Sequence, residues 1–124
     1  ADLWPLNPAG DLIAIMMIET AEGLQNVNEI AAVPGVGGFY LGPSDLSHSL
    51  GVPSDSAETE AAVQTVLEAC LAHNVPCGIS AGADDMPQRV EQGFRILGGG
   101  GVVGGLSAPI DAAIRAGRAA ANSQ

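Results

Sequence analysis

Along this chain, continuous apolar runs alternate with stretches in which apolar residues recur every three or four positions. The continuous runs predict buried strands, and the first of them, DLIAIMMIE, covers residues 11–19. Further strands are predicted at residues 38–42 and 75–81, with an irregular, glycine-rich fourth strand at 95–105. All four runs are bounded by glycine, proline or small polar residues, which mark turns.

Four amphipathic helices are predicted between and after these strands. The first follows Thr20 as its cap, the second begins at Asp55, which has capping-box spacing to Glu58, and the last is capped by Ser107. Residues 84–94 are predicted to form the third helix, and the segment that follows the second strand is predicted to be a polar loop. The inward positions, in chain order, are Leu24, Val27, Ile30, Ala31, Val63, Val66, Leu67, Cys70, Leu71, Met86, Val90, Phe94, Ile110, Ala113, Ile114 and Gly117.

The order of elements is therefore β-α-β-α-β-α-β-α. Apolar strands that alternate with amphipathic helices predict an α/β fold with a parallel sheet and right-handed crossovers. Four such units are half of an eight-unit (β/α)₈ TIM barrel, and they could instead make a small doubly wound sheet. As half of a barrel, the chain would leave both edges of its sheet unpaired.

The net charge of the chain argues against two kinds of binding partner. The formal net charge is −10, from 14 acidic and 4 basic residues, which argues against nucleic acid or an anionic membrane surface as a partner. No apolar run approaches the roughly 20 residues that span a bilayer. Cys70 and Cys77 are expected to be buried free thiols in a reducing compartment, and we expect a cytoplasmic protein. All four basic residues are arginines, so no lysine can form a Schiff base with a carbonyl substrate.

Two carboxylates follow successive predicted strands. Glu19 ends the first strand in MMIET, and Asp45 follows the second in LGPSDLS. Adjacent parallel strands lie about 4.8 Å apart, so carboxylates at the same ends can meet, and a divalent cation such as Mg²⁺ or Mn²⁺ would relieve their repulsion. A second interpretation remains open, in which Glu19 interacts with the N-terminus of the next helix and Asp45 caps the turn after Ser44.

The segment MIETAEGLQNVNEIAAVPGVGGFYLGPSDLSHSLG, residues 17–51, resembles the HpcH/HpaI aldolase family of metal-dependent class II pyruvate aldolases. The elements IET and GPSDLS carry the resemblance, which continues more loosely through ACLAHNVPCGI and RVEQGFRIL. It implies a (β/α)₈ barrel of which residues 1–124 are the C-terminal half, units five to eight, with the N-terminal half absent.

The resemblance also implies a site and a reaction. Glu19 and Asp45 would be the ligands of a divalent cation (Mg²⁺, Mn²⁺ or Co²⁺), and the backbone amides of Ser44 and Asp45 would hold the carboxylate of a 2-oxo acid. The parent enzyme would cleave a 4-hydroxy-2-oxo acid to pyruvate and an aldehyde. Two alternatives are an acyl-CoA lyase of the malyl-CoA or citryl-CoA type, and a non-catalytic half-barrel that serves as a binding or structural piece.

Some features of the family pattern are missing from this chain. In the family, the histidine that acts as general base and the arginine that binds the substrate belong to the N-terminal half. We therefore predict no catalytic acid or base within this segment. Neither His48 nor His73 is assigned to that role. The glycine-rich segment 98–105 lacks the lysine and Ser/Thr of a phosphate-binding P-loop. The expected partners are a small 2-oxo acid and either further copies of the chain or the missing half-barrel.

Overall fold

The computed structural model describes residues 2–99. The strands in this part of the chain are β1 (Leu3–Trp4), β2 (Leu12–Ile13), β3 (Ile15–Ile18), β4 (Gly38–Leu41), β5 (Cys77–Ala81) and β6 (Ile96–Gly99). The helices are α1 (Ala21–Gln25), α2 (Val27–Ala31), α3 (Pro43–Leu50), α4 (Ala57–His73) and α5 (Met86–Gln92). The helix predicted after Ser107, with Arg115 and Arg118, and the predicted strand beyond residue 99 lie outside the described residues.

Strands β3 to β6 form one parallel sheet in which the order of strands in space is their order along the chain. Strands β1 and β2 form a separate parallel pair, which the hydrophobic pattern did not predict. A doubly wound sheet changes direction along its strand order, whereas a barrel adds each strand beside the previous one. The predicted α/β fold with a parallel sheet is confirmed, and its strand order is that of a barrel segment.

One face of this sheet carries the core. Because side chains alternate along a strand, every second residue of β3, β4 and β5 faces the helices. These strand residues pack with apolar residues of α2 and α4, and the segment between α5 and β6 adds Phe94. The buried cluster comprises Ile18, Val27, Ala31, Phe39, Leu41, Val63, Val66, Leu67, Ala69, Cys70, Cys77, Ile79 and Phe94.

The opposite face of the sheet is open, which corrects the prediction of a buried first strand. Within the predicted run, Ile15 and Met17 are 40% and 55% exposed, and only Ile18 is buried. Strand β3 is the last strand on one side of this sheet, so within the sheet it is paired only with β4. The predicted run is also divided into two strands, because Ala14 lies between the end of β2 and the start of β3.

Three predictions about where helices lie and how they begin also need correction. The first predicted helix is two short helices, α1 and α2, that meet at Asn26, although Thr20 caps α1 as predicted by accepting a hydrogen bond from the Gly23 N–H. The segment predicted to be a polar loop contains α3, whose first position is Pro43. Helix α4 is capped by Ser56 rather than Asp55, because the Ser56 hydroxyl accepts the Thr59 N–H.

Two predicted core positions are at the surface. Leu71 and Val90 are 61% and 49% exposed. Both lie in the last turn of their helices, where the chain turns away from the sheet, and the inward place after α5 is taken by Phe94. The Val75 N–H donates to the Cys70 carbonyl and closes the turn that leads from α4 into β5.

Cys70 and Cys77 are both buried free thiols, as the sequence predicts. Cys70 lies in the last turn of α4, and Cys77 is the first residue of β5. A hydrogen bond from the Cys77 thiol lowers the pKa of Cys70, and the same interaction raises the pKa of Cys77. Both residues belong to the core cluster, so their role in the described structure is packing.

A bidentate ion pair joins α4 to α5. Arg89 donates from both terminal nitrogens to the two carboxylate oxygens of Glu60, each at 2.7 Å, and Gln64 donates to the same carboxylate. The Arg89 guanidinium also lies 6.0 Å from the centroid of the Phe94 ring. The hydrogen bonds from Arg89 lower the pKa of Glu60 and raise the pKa of Arg89.

We expect Glu60→Gln to lower the free energy of unfolding at pH 7 by about 0.5–1 kcal/mol, the upper range for a partly exposed pair. Because the folded pKa of Glu60 is lowered, this contribution is complete above the pKa of the unfolded chain and disappears as the pH falls through the folded value. Urea unfolding at pH 7 and near pH 3 measures it. Glu68→Gln, at an exposed position of the same helix, is the matched control, and an equal effect of both substitutions at pH 7 would contradict the prediction.

Candidate functional site

The two predicted carboxylates border one gap at the carboxyl ends of β3 and β4. Ile18 pairs with Leu41, so the next residues, Glu19 and Gly42, stand side by side. A Cβ atom built on Gly42 would lie 3.2 Å from Asp45 Oδ2 and 3.6 Å from Glu19 Oε2. The two oxygens are therefore no further apart than the sum of these distances, and the absence of a side chain at Gly42 leaves the space between them open.

Neither carboxylate is used to hold the fold together. Within residues 2–99, Glu19 and Asp45 make no side-chain hydrogen bond and no ion pair. The cap of α1 is Thr20, and the N-cap of α3 is Gly42, which has no side chain to cap the helix. No hydrogen bond supports Asp45 as the cap of the turn after Ser44, but Asp45 in the first turn of α3 and Glu19 directly before the cap of α1 are both placed to interact with a helix N-terminus.

Helix α3 holds Asp45 beside Glu19 through contacts with its neighbours. Leu46, the residue after Asp45, is completely buried and fixes the helix against the core. The Ser49 hydroxyl accepts a hydrogen bond of 2.9 Å from the Ala21 N–H, which ties the far end of α3 to the start of α1, two residues after Glu19. The position of each carboxylate therefore depends on the same pair of helices.

The first turn of α3 presents free backbone donors next to the gap. Pro43 occupies the first helical position and has no N–H, while the Leu46 N–H donates to the Gly42 carbonyl at 2.9 Å. The N–H groups of Ser44 and Asp45 have no acceptor among the described residues. Free N–H groups at a helix N-terminus attract anions, so a cation position and an anion position lie side by side here.

The carboxylates of Glu19 and Asp45 fit a divalent cation that takes only some of its ligands from the protein. Two carboxylates with open positions suit Mg²⁺ or Mn²⁺, which keep several waters and substrate oxygens as further ligands. No group of three or more His, Cys, Asp or Glu side chains lies together in residues 2–99, which argues against a closed structural site such as that of zinc.

A pair of hydroxyl groups that no sequence pattern predicted lies on the open face of the sheet, over β5 and β6. The Tyr40 hydroxyl is 3.1 Å from the Ser80 Oγ. The tyrosine ring passes over Gly78 and reaches Gly98 on β6. Glycines in the strands that follow the only tyrosine of the chain could have indicated this arrangement, because they leave room for its ring.

The remaining histidines and arginines in residues 2–99 are not gathered at the gap. His48 is exposed in the last turn of α3, and His73 lies in the last turn of α4, where a positive charge favours the helix dipole. Arg89 is held by Glu60, and Arg95 precedes β6 at the amino end of that strand, where it donates to backbone carbonyls. The prediction that this segment supplies no catalytic acid or base stays a prediction.

No helix in residues 2–99 has both the length and the apolar character needed to cross a bilayer.

Comparison with known proteins places the chain in a family. The HpcH/HpaI aldolase/citrate lyase family matches residues 9–108. The 2-dehydro-3,6-dideoxy-6-sulfogluconate aldolase of Pseudomonas putida is 40% identical over 83 residues, which cover 64% of this chain and 32% of that protein. The hydroxypyruvate/pyruvate aldolase of Paraburkholderia phytofirmans is 38% identical over 89 residues, which cover 69% of this chain and 34% of that protein.

A solved structure shows the same fold. An HpcH/HpaI aldolase/citrate lyase family protein from Burkholderia cenocepacia has a TM-score of 0.77 and 30% identity, and the match covers 91% of this chain and 45% of that one. The chain spans about a third of the length of the two curated relatives described above. The TIM-barrel fold class predicted from the sequence is confirmed. The family match extends over most of the sequence, and the chain belongs to the HpcH/HpaI aldolase/citrate lyase family.

Proposed function

We propose that this chain is the metal-binding and 2-oxo-acid-binding half of a carbon–carbon lyase. The observation that carries the proposal is the gap at Gly42, where the carboxylates of Glu19 and Asp45 face the same space. Neither carboxylate has another partner among the described residues, so both are available to a cation. Mg²⁺, Mn²⁺ and Co²⁺ are the ions we propose, in keeping with the family's general dependence on divalent metals.

The residues of this chain have distinct roles in the proposal. Glu19 and Asp45 hold the cation, and the N–H groups of Ser44 and Asp45 hold the carboxylate of the substrate. When bound, the cation supplies Lewis acidity, which stabilises the negative charge that develops on the substrate as the carbon–carbon bond breaks. Since the chain has no lysine, the Schiff-base route to the same stabilisation is closed to its own side chains.

The proposed reaction is cleavage of a 4-hydroxy-2-oxo acid to pyruvate and an aldehyde. The names of the relatives support this class, since both are aldolases. Breaking the bond requires removal of the proton of the 4-hydroxyl group, and we assign that step, together with binding by an arginine, to residues outside this segment. An acyl-CoA lyase is the second candidate, because the family also includes citrate lyases.

The open face of the sheet supports a proposal about partners. Ile15, Met17 and Ile96 lie on this face with Tyr40, and the first two are at least 40% exposed. A barrel needs such side chains to fill its interior. We propose that four further β/α units, from a longer form of this protein or a second chain, cover this face, that the complete protein is a homo-oligomer, and that it works in the cytoplasm.

Substrate assays distinguish the two lyase candidates. A chain that carries residues 1–124 within eight β/α units should release pyruvate from a 4-hydroxy-2-oxo acid, measured by coupled reduction of the pyruvate. The activity should disappear with EDTA and return with Mn²⁺ or Mg²⁺. Turnover of malyl-CoA or citryl-CoA thioesters alone would contradict the aldolase proposal and favour the acyl-CoA lyase.

A further inference from the structure

Cys70 and Cys77 lie in contact on either side of the connection from α4 to β5. Helix α4 ends at His73, the chain turns at Asn74, which has a positive φ of 54°, and β5 begins at Cys77. The Val75 N–H donates to the Cys70 carbonyl at 2.8 Å, which turns the chain back toward the helix. A hydrogen bond joins the two thiols. The backbone of this connection therefore holds the two sulfur atoms side by side.

A cavity of ≈ 270 Å³ borders both cysteines and opens to solvent. The rest of its wall comes from the connection after α4 and from the segment before β6, namely Leu71, Asn74, Val75, Pro76, Gly93 and Arg95. A water molecule takes up about 30 Å³ in the liquid, so the cavity has room for a small hydroperoxide together with water. Cys70 and Cys77 are otherwise buried, with 0% and 2% of each residue exposed. The cavity is therefore the route by which a small oxidant would reach the thiols.

The hydrogen bond between the thiols makes them unequal. Because Cys77 donates this bond, the pKa of Cys70 is lowered although burial acts in the opposite direction. The same bond, together with burial, raises the pKa of Cys77. The thiolate is the form that attacks an oxidant, so Cys70 is the thiol that reacts first. A second thiol beside the first converts the resulting sulfenic acid into a disulfide, and Cys77 is in the position of that second thiol.

We propose that Cys70 and Cys77 form a site of reversible oxidation, at which a hydroperoxide converts the two thiols into a disulfide that joins α4 to β5. The Cys70 thiolate attacks an oxygen of the hydroperoxide, the O–O bond breaks, and the leaving oxygen takes up the proton that Cys70 has released. The Cys77 thiol then attacks the sulfenic sulfur of Cys70, the S–O bond breaks, and water leaves with the Cys77 proton. The two thiols lose two electrons in total, and the hydroperoxide gains them. This site does not depend on the proposed function, because it lies at the amino end of β5, whereas the carboxylate gap lies at the carboxyl ends of β3 and β4.

Mass spectrometry of the chain after treatment with hydrogen peroxide tests this proposal. Because the chain has no other cysteine, a disulfide within one molecule can join only Cys70 and Cys77. Cleavage before Asp55 and Asp84 releases residues 55–83, a peptide with both cysteines and no methionine that could take up oxygen. From the folded wild type, this peptide should lose the mass of two hydrogen atoms and regain it with dithiothreitol. In glutathione buffers, the disulfide should form at least about 10-fold more readily in the folded chain than in urea, since a cross-link that fits the fold stabilises it.

A single variant shows whether the two thiols act together. Cys77→Ala keeps Cys70, and its peptide should gain oxygen instead of losing hydrogen, because the sulfenic acid then has no thiol beside it. Circular dichroism checks that the variant is folded, and if it is not, the glutathione measurement on the wild type decides. An unchanged wild-type peptide, a gain of oxygen on it, a disulfide between two chains, or equally ready disulfide formation in the folded and the unfolded chain would each overturn the inference.

Discussion

Replacing Asp45 with alanine should weaken the binding of Mn²⁺ to this chain by at least about 10- to 100-fold. Loss of a residue that merely orients a metal ligand costs about 10- to 100-fold in affinity, and loss of a direct ligand should cost no less. Glu19 alone would then face the gap at Gly42, and one carboxylate with waters holds a divalent cation weakly. The electron paramagnetic resonance signal of free Mn²⁺ measures this binding during a titration.

Asp84→Ala provides the matched control for that titration. Asp84 is an exposed aspartate in the turn before α5, and the substitution changes the net charge by the same amount. Its affinity for Mn²⁺ should equal that of the wild type. Equal binding by wild type and Asp45→Ala would contradict the assignment of Asp45, whereas an equal loss in both variants would show that general acidity of the surface attracts the ion.

The 124-residue chain alone should cleave a 4-hydroxy-2-oxo acid at least about 10²- to 10⁴-fold more slowly than a lyase with all eight β/α units. This range is the usual effect of one general acid or base, and lost positioning of the substrate adds to it. Both histidines lie in the last turns of helices and both arginines of the described residues are engaged elsewhere, so water would have to accept the proton.

The measurement is steady-state release of pyruvate by the purified chain with added Mg²⁺ or Mn²⁺, together with its mass in solution. A full-length aldolase of the same family, assayed with the same substrate, is the reference. A stable monomer with metal-dependent activity comparable to the reference would contradict the prediction. The base would then have to be sought within this chain, and His48→Ala would be the first variant to assay.

The sequence predicted the alternation of strands and helices because each element leaves a local pattern. The strand at 38–42 and the apolar face of α4 at Val63, Val66, Leu67 and Cys70 are where the spacing placed them. Helix α3 was missed because its first residues, Pro-Ser-Asp, have the composition of a turn. Proline at the first helical position is nevertheless favourable, since that position needs no N–H donor.

Burial along β3 was not predictable from its own residues. Seven apolar residues in a row indicate a strand covered on both faces, yet Met17 is 55% exposed because nothing among residues 2–99 covers that face. The location of Glu19 and Asp45 followed from a local rule, since both come just after strands that run in parallel. The register between strands decides that both carboxylates border the gap at Gly42 and that the Tyr40 hydroxyl contacts Ser80. No local sequence pattern predicts this register.

Soaking crystals of the chain in Mn²⁺ and collecting anomalous diffraction tests the shared carboxylate site most directly. We expect a single strong anomalous peak at the carboxyl ends of β3 and β4, about 2.0–2.2 Å from an oxygen of Glu19 and an oxygen of Asp45. A strong peak elsewhere, for example at Asp84 and Asp85, with none between Glu19 and Asp45, would contradict the proposal that these two residues hold the cation.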